Sequence, residues 1–75
     1  MVTITVHTMK SCHWCQKWVR EEQPYLDPNW QLNAVDGGAS SFPTFEVDVD
    51  GKTRTLVGFQ TVSQLFEVIQ QLKNE

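Results

Sequence analysis

A chain of 75 residues has room for one domain, and so short a chain buries only about 60% of the surface its unfolded form exposes, leaving a thin core and no large substrate cavity. Six Lys and Arg face nine Asp and Glu, a net charge of -3, and the basic residues are scattered from Lys10 to Lys73. No basic stripe of the kind that grips phosphates is present, which argues against a nucleic-acid partner. Neither a run of about 18 apolar residues nor a signal-peptide pattern occurs, so the reading is a soluble cytoplasmic protein without a membrane partner.

Val2, Ile4 and Val6 alternate with Thr3, Thr5 and His7, the period of a half-buried strand. This predicts a first strand over Val2 to Thr8. Ser11 is a candidate N-cap, and Cys15, Trp18, Val19 and Glu22 follow at helical spacing until Pro24 forces the residue before it out of the helical region. A helix over about residues 12–23, opening at Cys12, is expected. Past Pro24 and Pro28, the segment from Trp30 to Val35 alternates Trp30, Leu32 and Ala34 against polar neighbours, a second strand.

Phe45, Val47 and Val49 alternate with Thr44, Glu46 and Asp48, and the Asp50-Gly51 turn leads into Lys52 to Val57, so this stretch reads as a β-hairpin. Thr61 to Gln64 forms a capping box, after which Val62, Leu65, Phe66, Ile69 and Leu72 share one face of a closing helix. Two strands joined through a helix call for a right-handed parallel βαβ unit. Because the strands alternate instead of running apolar throughout, one sheet face should be wet: Thr3, Thr5, His7, Thr44, Glu46 and Asp48 line it, and both helices cover the other. The expected architecture is α/β, a four-stranded mixed sheet with two helices on one face in the order β-α-β-β-β-α, over residues 1–75. Trp18 and Trp30 are assigned to its core, Trp14 to its surface, and His7 to a structural position.

Chemistry concentrates in Ser11-Cys12-His13-Trp14-Cys15, at a strand-to-helix junction. A disulfide closing so short a loop does little to restrict the unfolded chain, so stapling explains the pair poorly, and redox chemistry or metal binding explains it better. A helix N-terminus favours the thiolate over the thiol, and Cys12 gains most from it. A zinc site needs four ligands, and the further candidates, His7 and His13, do not converge. A glutathione-linked iron-sulfur cluster shared between two chains needs only one thiolate from each. Pro43 in Phe42-Pro43-Thr44 stands where a strand begins, a place that needs a reason. A cis Phe42–Pro43 bond would turn the backbone toward the thiols and leave it free to pair with an extended substrate, whereas an ordinary trans proline would mark only a strand edge.

With Cys12-His13-Trp14-Cys15, Phe42-Pro43-Thr44, the hairpin and Val57-Gly58-Phe59 in place, the chain resembles the glutaredoxin branch of the thioredoxin-like superfamily over essentially its whole length. Asp36 to Ser41 leaves no room for the helix that usually separates the second and third strands, so the resemblance is to a minimal glutaredoxin of the compact phage-encoded kind. It implies a thioredoxin-like fold and a thiol-disulfide oxidoreductase that reduces protein disulfides or glutathione mixed disulfides. Cys12 would be the nucleophile, Cys15 the resolving thiol and Pro43 the cis-proline.

Around them the resemblance places substrate or glutathione contacts at Trp14, Phe42 and Pro43, with Lys10 in the electrostatic role of the family's basic residue from a shifted position; His13, beside Cys12, either favours the thiolate when protonated or is an exposed helix residue. Phe59, Gln60 and Thr61 stand where glutaredoxins often carry Gly-Gly and an acidic residue that help hold glutathione, so the electron source is either glutathione or, as in NrdH-type redoxins, thioredoxin reductase. Expected partners are disulfide-containing proteins such as ribonucleotide reductase. Expected further are a monomer, glutathione as co-substrate, and no tightly bound cofactor or metal.

Overall fold

The computed structural model describes residues 1–75 and contains β1 (Val2–Thr8), α1 (His13–Glu21), a 3₁₀ turn (Gln23–Tyr25), β2 (Gln31–Asp36), β3 (Thr44–Val49), β4 (Lys52–Val57) and α2 (Val62–Lys73). The strands form one mixed sheet in the order β2-β1-β3-β4, with β1 and β2 parallel and the other neighbours antiparallel. Partners across the register fall on one face of the sheet. Thr3 stands opposite Asp48, Thr5 opposite Glu46 and His7 opposite Thr44, so the polar set does share a face.

On the opposite face Val2, Ile4 and Val6 meet Val49, Val47 and Phe45. These six side chains form one buried cluster with Trp18 of α1 and Leu65, Ile69 and Leu72 of α2, which puts both helices on the same side. Two layers result, and the alternation in the strands is their signature. No helix is long and apolar enough to cross a membrane.

The missing connecting helix has a topological reason. β2 runs parallel to β1 and β3 antiparallel to it, so β2 ends and β3 begins at the same end of the sheet. Residues 37–43 therefore need only step over the end of β1. Gly37 and Gly38 make that step at positive φ, and it is tied down where the Gly37 amide donates to Thr8 O and His7 Nδ1 bonds Gly37 O at 2.9 Å. At Gly38 a Cβ would lie 3.0 Å from His7 Nδ1, so the imidazole fills the space beneath the bridge. The other imidazole nitrogen faces Glu46 at 3.4 Å.

Several sequence expectations shift. Thr44 is on the polar face but buried, because its hydroxyl donates to Ser41 O within the bridge that covers it. α1 is shorter than residues 12–23: regular bonding stops at Glu21, and Pro24, unable to donate, continues the chain as a 3₁₀ turn. Trp30 precedes β2 instead of opening it; half-buried, it packs at the rim of the core and stacks on Phe66 with ring centroids 6.5 Å apart. Phe66 is correspondingly half exposed, as is Val19, since a two-helix layer is too narrow to cover their side of either helix. On the edge strand β4, Arg54 faces the helix side and its guanidinium bonds Gln71 Oε1 and Glu75 Oε1, bringing positive charge to the C-terminal end of α2. The β3–β4 turn has Asp50 and Gly51 at positive φ, and the N-terminal ammonium bonds the Asp50 carboxylate, holding its pKa below the ordinary value.

Candidate active site

The thiols sit where the loop 9–12 runs into α1. The Cys12 amide donates to Met9 O and Gln16 Nε2 donates to Lys10 O, which clips this loop to the first turn of the helix. Cys12 itself is the N-cap, with extended φ and ψ of -83° and 109°, and its Sγ accepts from the Cys15 amide at 3.1 Å. The expected cap, Ser11, lies one residue too early; a sulfur takes the place an oxygen usually holds. This matters chemically, because an N-cap acceptor faces the unpaired amides and the positive end of the helix dipole, the location that most favours an anion. No acidic residue occupies the first turn to compete for that field.

Cys12 and Cys15 form a disulfide with Cα atoms 5.2 Å apart. Their exposure differs: Cys12 is partly accessible, whereas Cys15 is 3% exposed. An attacking thiol must be reached by its target, and the thiol that later resolves the intermediate need only reach its neighbour.

On one side of this junction Trp14, Phe42, Pro43, Gly58 and Phe59 line a groove of about 250 Å³. Pro43 is buried, its peptide bond to Phe42 is cis, and its carbonyl accepts from the Gly58 amide at 2.9 Å. Trp14 is 52% exposed and meets Phe59 edge to face at 5.9 Å. His13 is exposed and stands edge-on to Trp14. Lys10 lies elsewhere, in a second groove that it lines with Met9, Val19 and Arg20, and where Cys15 contributes to the wall.

Gln60 and Thr61 serve the scaffold. The Trp18 indole donates to Gln60 O at 2.9 Å, anchoring the β4–α2 connection that carries Phe59 to α1. Thr61 and Gln64 cap α2 reciprocally, and the Val62 amide donates to Glu22 Oε1 at 2.8 Å. Two site-region residues escaped the sequence reading. Glu22 is brought to α2 only by the tertiary fold, without a local signal. Lys17 had one: it follows Trp14 by three residues, on the same helical face, and its ammonium lies 5.0 Å from the Trp14 ring centroid and 5.8 Å from that of Phe59.

No protein-family model and no curated protein matches the sequence. Solved structures do match the fold. Chloroplastic thioredoxin z superposes with a TM-score of 0.74 at 13% identity, covering 100% of this chain and 80% of that one. The chain has the thioredoxin fold. Thioredoxin O2 from Arabidopsis thaliana, in its oxidized state, agrees with a TM-score of 0.66 at 21% identity over 96% of this chain and 75% of its own. A malarial protein gives 0.75 at 18% identity over 95% and 96%. At these identities the likeness is one of fold, and within the thioredoxin fold the chemistry has to be read from the Cys12–Cys15 junction itself.

Proposed function

We propose that this protein is a small thiol-disulfide oxidoreductase working through the Cys12–Cys15 pair. The observation that carries the reading is the N-cap position of Cys12, with its sulfur accepting from the Cys15 amide while Cys15 itself is buried. In the reduced protein the Cys12 thiolate attacks one sulfur of a substrate disulfide, forming a mixed disulfide and expelling the other sulfur as a thiolate that takes up a proton. Cys15 then loses its proton and attacks Cys12 Sγ, releasing the second substrate thiol. Two electrons have passed to the substrate, and the protein is left as the Cys12–Cys15 disulfide. The groove of Trp14, Phe42, Pro43 and Phe59 offers an apolar surface beside the thiols for the chain that carries the substrate disulfide.

The resemblance to glutaredoxins supplies glutathione as the reductant: two molecules would reduce the protein disulfide and leave as glutathione disulfide. One observation favours a reductase protein, as in the NrdH-like reading. The α2 N-terminus, which could bind a small carboxylate, already has the Thr61, Val62 and Gln64 amides bonded to Gln64, Glu22 and Thr61 side chains.

A coupled assay on a glutathione mixed disulfide, run in parallel with glutathione plus its reductase and with thioredoxin reductase, separates the two. Turnover with glutathione identifies a glutaredoxin activity, and turnover only with thioredoxin reductase identifies an NrdH-like one. Turnover with neither, together with visible absorbance and dimerisation of anaerobically purified protein, would replace both with a cluster-binding role.

A further inference from the structure

The segment that carries the thiols is opposite in charge to the chain as a whole. All nine carboxylate side chains lie outside residues 1–20, whereas Lys10, Lys17 and Arg20 lie within them. Arg20 is paired with Glu21; Lys10 and Lys17 enter none of the ion pairs. No carboxylate lines the groove of Trp14, Phe42, Pro43, Gly58 and Phe59. The one cation placed against it is Lys17, whose ammonium lies against both Trp14 and Phe59 while those rings touch edge to face.

A cation shared by two rings draws them together, since each presents its electron-rich face. The unpaired charge also remains available to an anion arriving in the groove. We infer that Lys17 is a specificity-determining residue, which holds the Trp14–Phe59 wall and selects substrates carrying a carboxylate beside the disulfide. The inference rests on the oxidoreductase reading and adds a substrate class to it: disulfides in acidic segments. Lys17 takes no part in the exchange of bonds, so its removal acts on substrate capture and leaves the chemical step intact.

The test uses two peptides that differ only in the residues flanking a disulfide, Glu in one and Lys in the other, with wild type, Lys17→Met and Lys17→Arg. Met keeps the length and apolar stem of the side chain without its charge; far-UV circular dichroism verifies that the variant is folded. Wild type is expected to prefer the Glu peptide. Lys17→Met should raise KM for that peptide by about three- to tenfold with kcat unchanged, and should erase the preference, while Lys17→Arg restores it. High salt should narrow the wild-type preference, because an exposed pair is screened. Equal losses on both peptides in Lys17→Met would assign Lys17 to structure alone, and unchanged kinetics on both would remove it from recognition; either overturns the inference. Failure of wild type to reduce either peptide would instead strike the oxidoreductase reading beneath it.

Discussion

Replacing Trp18 by Phe tests the link between the core and the groove. Trp18 is fully buried, edge-on to Phe45 at 5.1 Å, and its indole N–H is the donor to Gln60 O. Phe retains most of the aromatic packing but leaves the carbonyl without its donor, at a cost of about 1–3 kcal/mol. The bond is only part-buried, so water can compensate and the lower end applies. The smaller ring leaves space worth about 1 kcal/mol more, a fraction of the about 3–5 kcal/mol that full truncation of a buried aromatic costs. The total, about 2 kcal/mol, is a large share of the about 4–11 kcal/mol available to a domain of this length. Urea unfolding followed by far-UV circular dichroism should show a lower midpoint at unchanged slope. Because Gln60 follows Phe59 directly, KM for a disulfide substrate should rise as well. A stability loss below about 0.5 kcal/mol would refute the reasoning, since it would mean that the indole bond and the fit around the ring contribute almost nothing.

Thr61→Ala removes the acceptor for the Gln64 amide and half of the capping box, and should cost about 1 kcal/mol in denaturant unfolding, with disulfide reduction retained. Gly38→Ala places a methyl group 3.0 Å from His7 Nδ1 at a φ of +83°, so it should destabilise by about 1–2 kcal/mol; a neutral result would show that the 37–43 bridge is free to relax. Glu22→Gln keeps a side-chain oxygen for the Val62 amide but removes the charge at the α2 N-terminus, and should lower the melting temperature slightly. If Glu22 is what keeps small carboxylates away, the same variant should gain turnover with glutathione, and an unchanged ratio of the two reductants would dismiss that role.

Much of this fold is legible in the sequence because each element reports its own surroundings. Strict alternation in Val2–Thr8 and Thr44–Val49 records one wet face, and the absence of continuous apolar strands records two layers. The Asp50-Gly51 turn and the Thr61–Gln64 box are local chemistry, visible in four or five residues. β2 is weaker because it is an edge strand in which only Leu32 is even half-buried, so burial imposes little pattern on it. The limits of α1 shift by a residue or two because the cap is a cysteine, a poor match to the usual cap residues, and because Pro24 permits a 3₁₀ turn after the helix.

At the site, the positions of Cys12 and Cys15 and the strand start at Pro43 follow from local spacing. The use of Gln60 O by Trp18 and the reach of Glu22 to α2 depend on residues tens of positions apart, and no local pattern encodes them. Lys17 lies between these cases: its i, i+3 relation to Trp14 is readable, but the second ring, Phe59, comes from the β4–α2 connection, far along the chain.

The central claim is that the sulfur at the α1 N-cap is the attacking one. Its most direct test is to reduce the protein, treat it with a limiting thiol alkylator at neutral pH and locate the label by mass spectrometry, alongside disulfide turnover by Cys12→Ser and Cys15→Ser. The account predicts label on Cys12 first, no disulfide reduction by Cys12→Ser, and a trapped mixed disulfide on Cys12 in Cys15→Ser. Preferential labelling of Cys15, or undiminished turnover by Cys12→Ser, would contradict it.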